Sequence, residues 1–245
     1  MSLVWNIDYL IDFRDIVLPD LVNDEVFVAV LVARKKYCKT LPRSEEILDL
    51  RIIKRKEDFV RKIRRFLRVS DVDFLDKNGK YIPKTAMAAY IDIYPKSCLK
   101  ALKEFNDLTK NWMYDAIYSK DFSLELFRKI DTKLKSSIHK TNSRKPHKIV
   151  DIDSKDESLI KYLPDGRRWI TETKNGYHVI YLNPDHELMK ELHQFRQAHK
   201  NSDVYEFQWH QGQTVIPGTL QGGFAVRGWF NVFDSIDNTT TCNTG

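Results

Sequence analysis

Cysteine is nearly missing. Cys38, Cys98 and Cys242 are the three in 245 residues, and they form no C-x-x-C pair, so neither a disulfide framework nor a zinc knuckle is suggested. No apolar run approaches the ~20 residues that a membrane-crossing helix needs, and Met1 to Asp8 has neither the basic start nor the small-residue cleavage site of a signal peptide. These absences set the expectation of a protein working in a reducing, cytoplasmic compartment with no membrane partner. Disorder is excluded by what is present: 42% hydrophobic and 12% aromatic residues are the composition of a packed domain. The length fits one large domain or two small ones. There is no internal repeat, and the Thr/Asn-rich tail at 238–245 is the one low-complexity tract.

The net charge of +6 is unevenly placed. From Arg34 to Arg68 there are 14 Lys/Arg against 5 Asp/Glu, and from Arg128 to Lys148 there are 8 against 1. The rest of the chain is therefore acidic. Two basic blocks on an acidic chain read as a footprint for a polyanion, because Lys and Arg beside phosphates release condensed counterions. The plain alternative is a pair of solvated helix faces. Arg34, Lys35, Lys36, Arg61, Arg64 and Arg65 are the nucleic-acid-binding candidates of the first block.

Periodicity gives an α/β (α+β) alternation. Val26 to Val32 is a β-branched apolar run, read as a buried strand. Residues 43–68 have helical spacing, with Ile47, Leu50, Phe59, Ile63, Phe66 and Leu67 on the apolar side. Asn78-Gly79 and Pro83 mark a loop, and Met87 to Tyr94 reads as a strand ended by Pro95. Ser97 can cap a helix running to about Lys110. Trp112 to Ile138 reads as a helical pair broken near 121–123. The polar, basic stretch 139–147, with Pro146, is the candidate linker. The chain then divides into an N-terminal α/β module with basic helices, 1–145, and a motif-bearing module, 146–245, within one continuous domain.

The chemistry concentrates in the second module. Lys148 to Asp153 reads as a strand, and alternation puts Asp151 and Asp153 on one face with Val150 and Ile152 behind. Paired carboxylates on a rigid strand can share divalent cations whose remaining ligands are substrate phosphates. Turns and strand ends also use Asp freely, so D-x-D alone is a weak signal. Next, β-rich runs flank Asn175-Gly176, a hairpin signal. Thr173, Lys174 and His178 cluster at its end, a hydroxyl, a cation and an imidazole suited to a triphosphate. The other histidines, including His186 and His193 on an expected helix at 185–200, read as surface or satisfied core residues. Finally, Pro217 to Gly223 forms a sharp Gly-rich loop whose N–H groups are free to meet a ligand.

In this order the three segments resemble the archaeo-eukaryotic primase superfamily, which includes the primase–polymerases. The motifs read Asp151-Ile152-Asp153, then Thr173-Lys174-Asn175-Gly176-Tyr177-His178, then Ile216-Pro217-Gly218-Thr219-Leu220. Tyr90 to Lys96 is similar to a strand that ends in Asn-Pro-Arg in that family, with Lys96 in the arginine's place. The resemblance spans roughly residues 87–227. It implies an RRM-like antiparallel or mixed sheet as catalytic core, behind a helix-rich N-terminal module. It also implies a two-metal Mg²⁺ or Mn²⁺ site on the acids and a phosphate contact from His178. The activity implied is nucleotidyl transfer from nucleoside triphosphates on a single-stranded nucleic-acid template, giving primers or longer strands.

The chain departs from that pattern in three places. The third carboxylate has two candidates, Asp203 and Glu206. Asp203 is preferred, because a short strand between the expected helix and the Tyr205–Trp209 aromatic run would bring it beside Asp151; Glu206, three residues on, would point the opposite way, so the two would not serve together. Val215-Ile216 stand where an arginine is usual, and the basic residue after the loop is displaced to Arg227. No helicase or zinc-binding module accompanies the core, so a helicase would be a separate chain. A stand-alone member of this size suits a phage or mobile element, acting in the host cytoplasm. The rival readings are a catalytically degenerate nucleic-acid-binding protein of the same fold and, third, a metal-dependent nuclease.

Overall fold

The computed structural model describes residues 2–70, 72–76, 78–119 and 125–231. The expected break near 121–123, the tail at 238–245 and Cys242 lie outside the described residues. In chain order the elements are α1 (Asp8–Ile16), β1 (Glu25–Arg34), β2 (Glu45–Ile53), α2 (Phe59–Phe66), β3 (Met87–Ser97) and α3 (Cys98–Tyr118). There follow α4 (Glu125–Arg128), α5 (Ile130–Lys140), β4 (Lys148–Ile152), α6 (Ser158–Lys161), β5 (Arg168–Glu172), β6 (Tyr177–Tyr181) and α7 (His186–Ala198). Short strands complete the set: β7 (Tyr205–Phe207), β8 (Gln213–Val215), β9 (Leu220–Gln221), β10 (Phe224–Ala225) and β11 (Arg227–Asn231). The fold is mixed α/β, and every strand pairing is antiparallel.

The strands form a four-stranded sheet in the order β2-β1-β3-β8, a five-stranded sheet in the order β11-β5-β6-β4-β7, and the small β9–β10 hairpin. The first half of the expected helix at 43–68 is strand β2. Its register against β1 shifts between Leu31 and Val32, so that Ile47 and Asp49 face consecutive residues and Leu48 is extra. That bulge breaks the period of two and leaves a spacing that imitates a helix. Only Phe59–Phe66 is α-helical, preceded by a short 3₁₀ turn at Lys56–Asp58, with Phe59, Ile63 and Phe66 buried. Strand β3 runs through Pro95 to Ser97 because its register with β1 is bulged there, where a missing N–H costs no ladder bond. Ser97 does cap α3, its Oγ accepting from Lys100 N–H at 3.1 Å, but the helix continues past Lys110 without interruption to Tyr118.

Both halves of the chain fill one core. Phe27, Ala29 and Leu31 of β1 meet Ile149, Trp169 and Ile180 of the five-stranded sheet, with Phe13, Phe59 and Ile63 closing the side. The Phe13 and Trp169 rings meet edge-on, centroids 5.9 Å apart. On the back of the five-stranded sheet, Leu192 of α7 covers Val150, Ile152, Val179 and Tyr181. On the outer face of the four-stranded sheet, Ala101 and Ile138 cover Val28, Val30 and Tyr90.

The stretch 139–147 is not a loose linker. Thr141 Oγ1 donates to Ser97 O at 3.1 Å, Ser143 N–H donates to Pro95 O at 2.8 Å, and Arg144 pairs with Glu25 at 3.0 Å. His147 is 2% exposed. Its Nε2 lies 2.9 Å from Val17 O and its Nδ1 accepts from Asn183 N–H at 3.3 Å, which fixes the neutral Nε2–H tautomer. Polar composition alone suggested a linker, but these polar groups are spent on backbone partners.

Burial pushes the pKa of His147 down from 6.5 to about 4. The unfolded chain therefore takes up a proton that the folded chain refuses, and stability falls as pH drops through that window, by up to roughly 3 kcal/mol. Urea unfolding of His147→Gln should lose this part of the slope between pH 6.5 and 5, above the range where carboxylates titrate. Equal slopes in the two proteins would assign the loss to other groups.

Candidate functional site

The inward face of β4 passes from apolar to charged in steps of two. Ile149 is fully buried in the shared core, the Asp151 side chain is 16% exposed, and Asp153, just past the strand, is exposed. On β6 the same face carries Ile180 and then His178. Asp151 stands directly opposite His178 on one side and Glu206 of β7 on the other. Direct cross-strand partners share a face, so His178, Asp151 and Glu206 form a row across three strands. Asp153 N–H donates to Val204 O at 2.9 Å, anchoring the strand end that follows.

This row lines a polar cavity of about 360 Å³ between the two sheets, within the range of small-ligand sites, about 300–1,000 Å³. Across from the acids stand Arg34 and Lys36, at and just beyond the end of β1. Arg34 NH1 donates to Tyr90 Oη at 2.8 Å, and its Nε lies 3.3 Å from Glu45. His178 Nε2 lies 3.5 Å from Asp151 Oδ1, and its Nδ1 lies 3.0 Å from Thr214 Oγ1. Gln208 Nε2 donates to the other Asp151 oxygen at 3.3 Å. Burial raises the pKa of Asp151, opposed by His178 and reinforced by Asp153. Lys36 is shifted down by enclosure and by Arg34, against the pull of Asp153 and Asp151.

The hairpin that delivers His178 depends on one glycine. A Cβ on Gly176 would lie 1.8 Å from Ile152 O, so only glycine lets the turn close over the end of β4. The turn itself is held by Thr173, whose Oγ1 accepts from Gly176 N–H at 3.1 Å and whose N–H donates to Gly176 O at 2.8 Å.

Of the residues singled out in the sequence, Asp151, Asp153, His178, Thr173, Arg34, Lys36 and the alternative acid Glu206 line this cavity together. The remaining candidates stand elsewhere. Lys174 is beside it, its Nζ donating to Gly222 O at 2.8 Å over the Tyr37 ring. Lys96 is 3% exposed, ion-paired with Asp92 and donating to Asn142 Oδ1 at 2.5 Å. Arg227 is exposed on β11, opposite Glu172. Lys35 is exposed in the turn after β1. Arg61, Arg64 and Arg65 lie on α2, which packs on β2 near Ile53, the partner of Phe27. Phe27 is seven residues from Arg34 along β1, roughly 20 Å. The first basic block is thus split between two places.

Of the two candidates for a third carboxylate, strand pairing puts Glu206, and not Asp203, directly opposite Asp151. Strand β7 begins at Tyr205, which leaves Asp203 in the preceding turn and places Glu206 opposite Asp151. Asp203 lines a neighbouring cavity, with Asp153 and Glu206 shared between the two.

The Gly-rich loop is committed to the fold. Gly218 N–H donates to Val226 O at 2.9 Å and Leu220 N–H to Leu3 O at 2.8 Å, while Gly218 O accepts from Trp5 and Asn6. Gly218 has φ +81°, and a Cβ there would meet Asn6 O at 2.2 Å. What the loop contributes to the cavity is the side chain of Gln221, missed in the sequence. Its Nε2 donates to Tyr90 Oη at 3.4 Å and its Oε1 accepts from Lys174 N–H at 2.6 Å. Gln208 and Gln213 were missed as well, since single amides carry no spacing signal. Gln213 could have been found as the residue two before Val215 on an alternating strand.

The donor set is carboxylate oxygen, which suits hard divalent cations. Among the described residues, no group of three or more His, Cys, Asp and Glu stands close enough to hold a metal ion by itself, so an ion held here would rest on one or two carboxylates and take its remaining ligands from a substrate's phosphates. Comparison with known protein families, curated proteins and solved structures gives no significant match for this chain.

The raised pKa of Asp151 has a sign that can be measured. A carboxyl that holds its proton more tightly folded than unfolded costs stability as pH rises through its folded-state pKa. Asp151→Asn should therefore raise the melting temperature at pH 7 with chelator present, and the gain should shrink as pH falls. A lower melting temperature across the whole pH range would mean that the ionised Asp151 stabilises the fold.

Proposed function

We propose that this chain is a metal-dependent nucleotidyltransferase of the primase–polymerase kind, extending a nucleic-acid strand on a single-stranded template. The observation that carries the reading is the acidic row. Like charges directly opposite on paired strands are destabilising, yet Asp151 faces Glu206, with Asp153 beside them and Arg34 and Lys36 across the cavity. A site that concentrates acids against cations at the edge of an apolar core is suited to holding cations and phosphates together.

On this reading Asp151, Asp153 and Glu206 would hold Mg²⁺ or Mn²⁺ with the triphosphate. The bound ions supply charge neutralisation and a lowered pKa for the attacking hydroxyl. Arg34 and Lys36 bind phosphate oxygens from the opposite wall, and His178 offers an N–H to the same group while Thr214 fixes its ring. Gln208 orients the Asp151 carboxylate. In the reaction the strand's 3′-hydroxyl oxygen bonds to the α-phosphorus, the bond to pyrophosphate breaks, and the hydroxyl proton passes to water. The five-stranded sheet, backed by α7, corresponds to the RRM-like core of the primase superfamily. The second reading, a nucleic-acid-binding protein without turnover, is favoured by the Gly-rich loop, whose Gly218 and Leu220 N–H groups are occupied inside the fold.

A primer-extension and primer-synthesis assay with all four nucleotides and Mn²⁺ or Mg²⁺ separates the two readings. Asp151→Asn and Asp153→Asn should each lower nucleotide addition on the order of 100-fold or more, and Glu206→Gln should cost more than Asp203→Asn. His178→Ala should weaken nucleotide binding far more than strand binding. A wild-type chain that binds strands and adds no nucleotide would leave the binding-only reading.

A further inference from the structure

A second cavity, of about 550 Å³, opens on the far side of β7 from the acidic row. Its outer wall is the last turn of α7 and the residues just after it, carrying Arg196, His199 and Lys200. Its inner wall is Asp153 and Glu206, which also line the first cavity, so the two spaces meet at those acids. Phe207 supplies an aromatic surface between the walls.

The cationic wall is built, not incidental. The Arg196 guanidinium is held over the Trp209 ring at 4.8 Å. The His199 ring stacks on Phe195 with centroids 4.0 Å apart, and its Nδ1 lies 2.9 Å from Phe195 O. Trp209 in turn packs edge-on against Phe207 at 5.9 Å. Aromatic packing thus fixes Arg196 and the His199 ring next to Lys200, while both Arg196 and Lys200 remain exposed. Arg61, by contrast, is engaged by Asp58 at 2.8 Å.

From this arrangement we infer that the cavity between α7 and β7 seats the 3′-terminal nucleotides of the single strand being extended, an inference that rests on the function proposed above. A polyanion cannot lie equally against both walls. Its phosphodiesters go to Arg196 and Lys200, a terminal base has Phe207 to stack on, and the chain end, which bears a hydroxyl and no phosphate, is directed to the acids. The order of the walls thus sends a chain end to the acids, and the proposed transfer, in which the 3′-hydroxyl attacks, makes that end the 3′ end. It also moves the strand path away from Arg61, Arg64 and Arg65, which lie on the other sheet's flank.

The test measures binding of a fluorescein-labelled oligodeoxynucleotide by anisotropy at several salt concentrations, with the full chain. Arg196→Glu with Lys200→Glu should weaken binding at least tenfold and reduce the salt slope by about 1.4, at ~0.7 per phosphate contact. Mn²⁺-dependent binding of a labelled nucleotide should persist. The Arg61/Arg64/Arg65→Glu variant should bind the strand as wild type does. If charge reversal disturbs the circular dichroism spectrum, Arg196→Gln with Lys200→Gln is used, with the same direction expected. A photoreactive nucleotide at the 3′ end should cross-link within residues 196–207, and one at the 5′ end should not. Unchanged strand affinity in a folded variant, or a 3′ cross-link on α2, would overturn the inference. Failure of the wild type to add nucleotides would overturn the polymerase reading alone, because strand affinity and cross-link position are read without turnover.

Discussion

The site rests on one carboxylate held where an apolar core ends. Asp151 follows Ile149 on the same face of β4, so the strand that completes the hydrophobic filling also carries a charge into its margin. Isolated, such a charge is costly to bury. His178 and Gln208 offset part of that cost, and Lys36 and Arg34 add smaller contributions from across the cavity. These partners come from three separate parts of the chain. The position of Asp151 therefore ties β1, β4, β6 and the segment after β7 into one arrangement, and the cavity is what remains between them.

The same dependence explains why the backbone is so restricted around the site. Gly176 closes the hairpin over β4, and Gly222 and Gly223, at φ +58° and +82°, turn the β9–β10 hairpin that carries Gln221. A Cβ on Gly222 would sit 2.6 Å from the Tyr37 ring, in the turn beside Lys36. Glycine here permits close approach between segments distant in the chain, and the approach is what brings amides and cations to the acids.

Much of this was legible. A continuous apolar run exposed β1, alternation exposed β4 with the shared face of Asp151 and Asp153, and the Asn175-Gly176 turn between β-rich runs exposed β5 and β6, the hairpin that brings His178 beside them. What was hidden has physical reasons. The bulge at Leu48 spoiled the period of β2, and the polar stretch 139–147, tied into the fold through Thr141, Ser143, Arg144 and His147, looked like a loose linker because sequence does not reveal hydrogen-bond partners. Which of Asp203 and Glu206 stands opposite Asp151 turned on where a three-residue strand begins, which is set by pairing with β4 and not by local pattern. Charge blocks were the weakest guide. Arg34 and Arg61 belong to one run of sequence and to different faces of the molecule, because a strand and a bulge lie between them.

Strand β8 has a consequence for how the chain is made. Residues 213–215 complete the four-stranded sheet beside β3, although β3 ends at Ser97. During synthesis from the N-terminus, β3 is an open edge while all of the five-stranded sheet's first strands emerge. An open apolar edge is a template for pairing with other chains, and pairings this distant in sequence form slowly. The nascent protein thus makes roughly half of its chain with that apolar edge uncovered, and closes it only when the segment that also brings Gln213 to the cavity has left the ribosome.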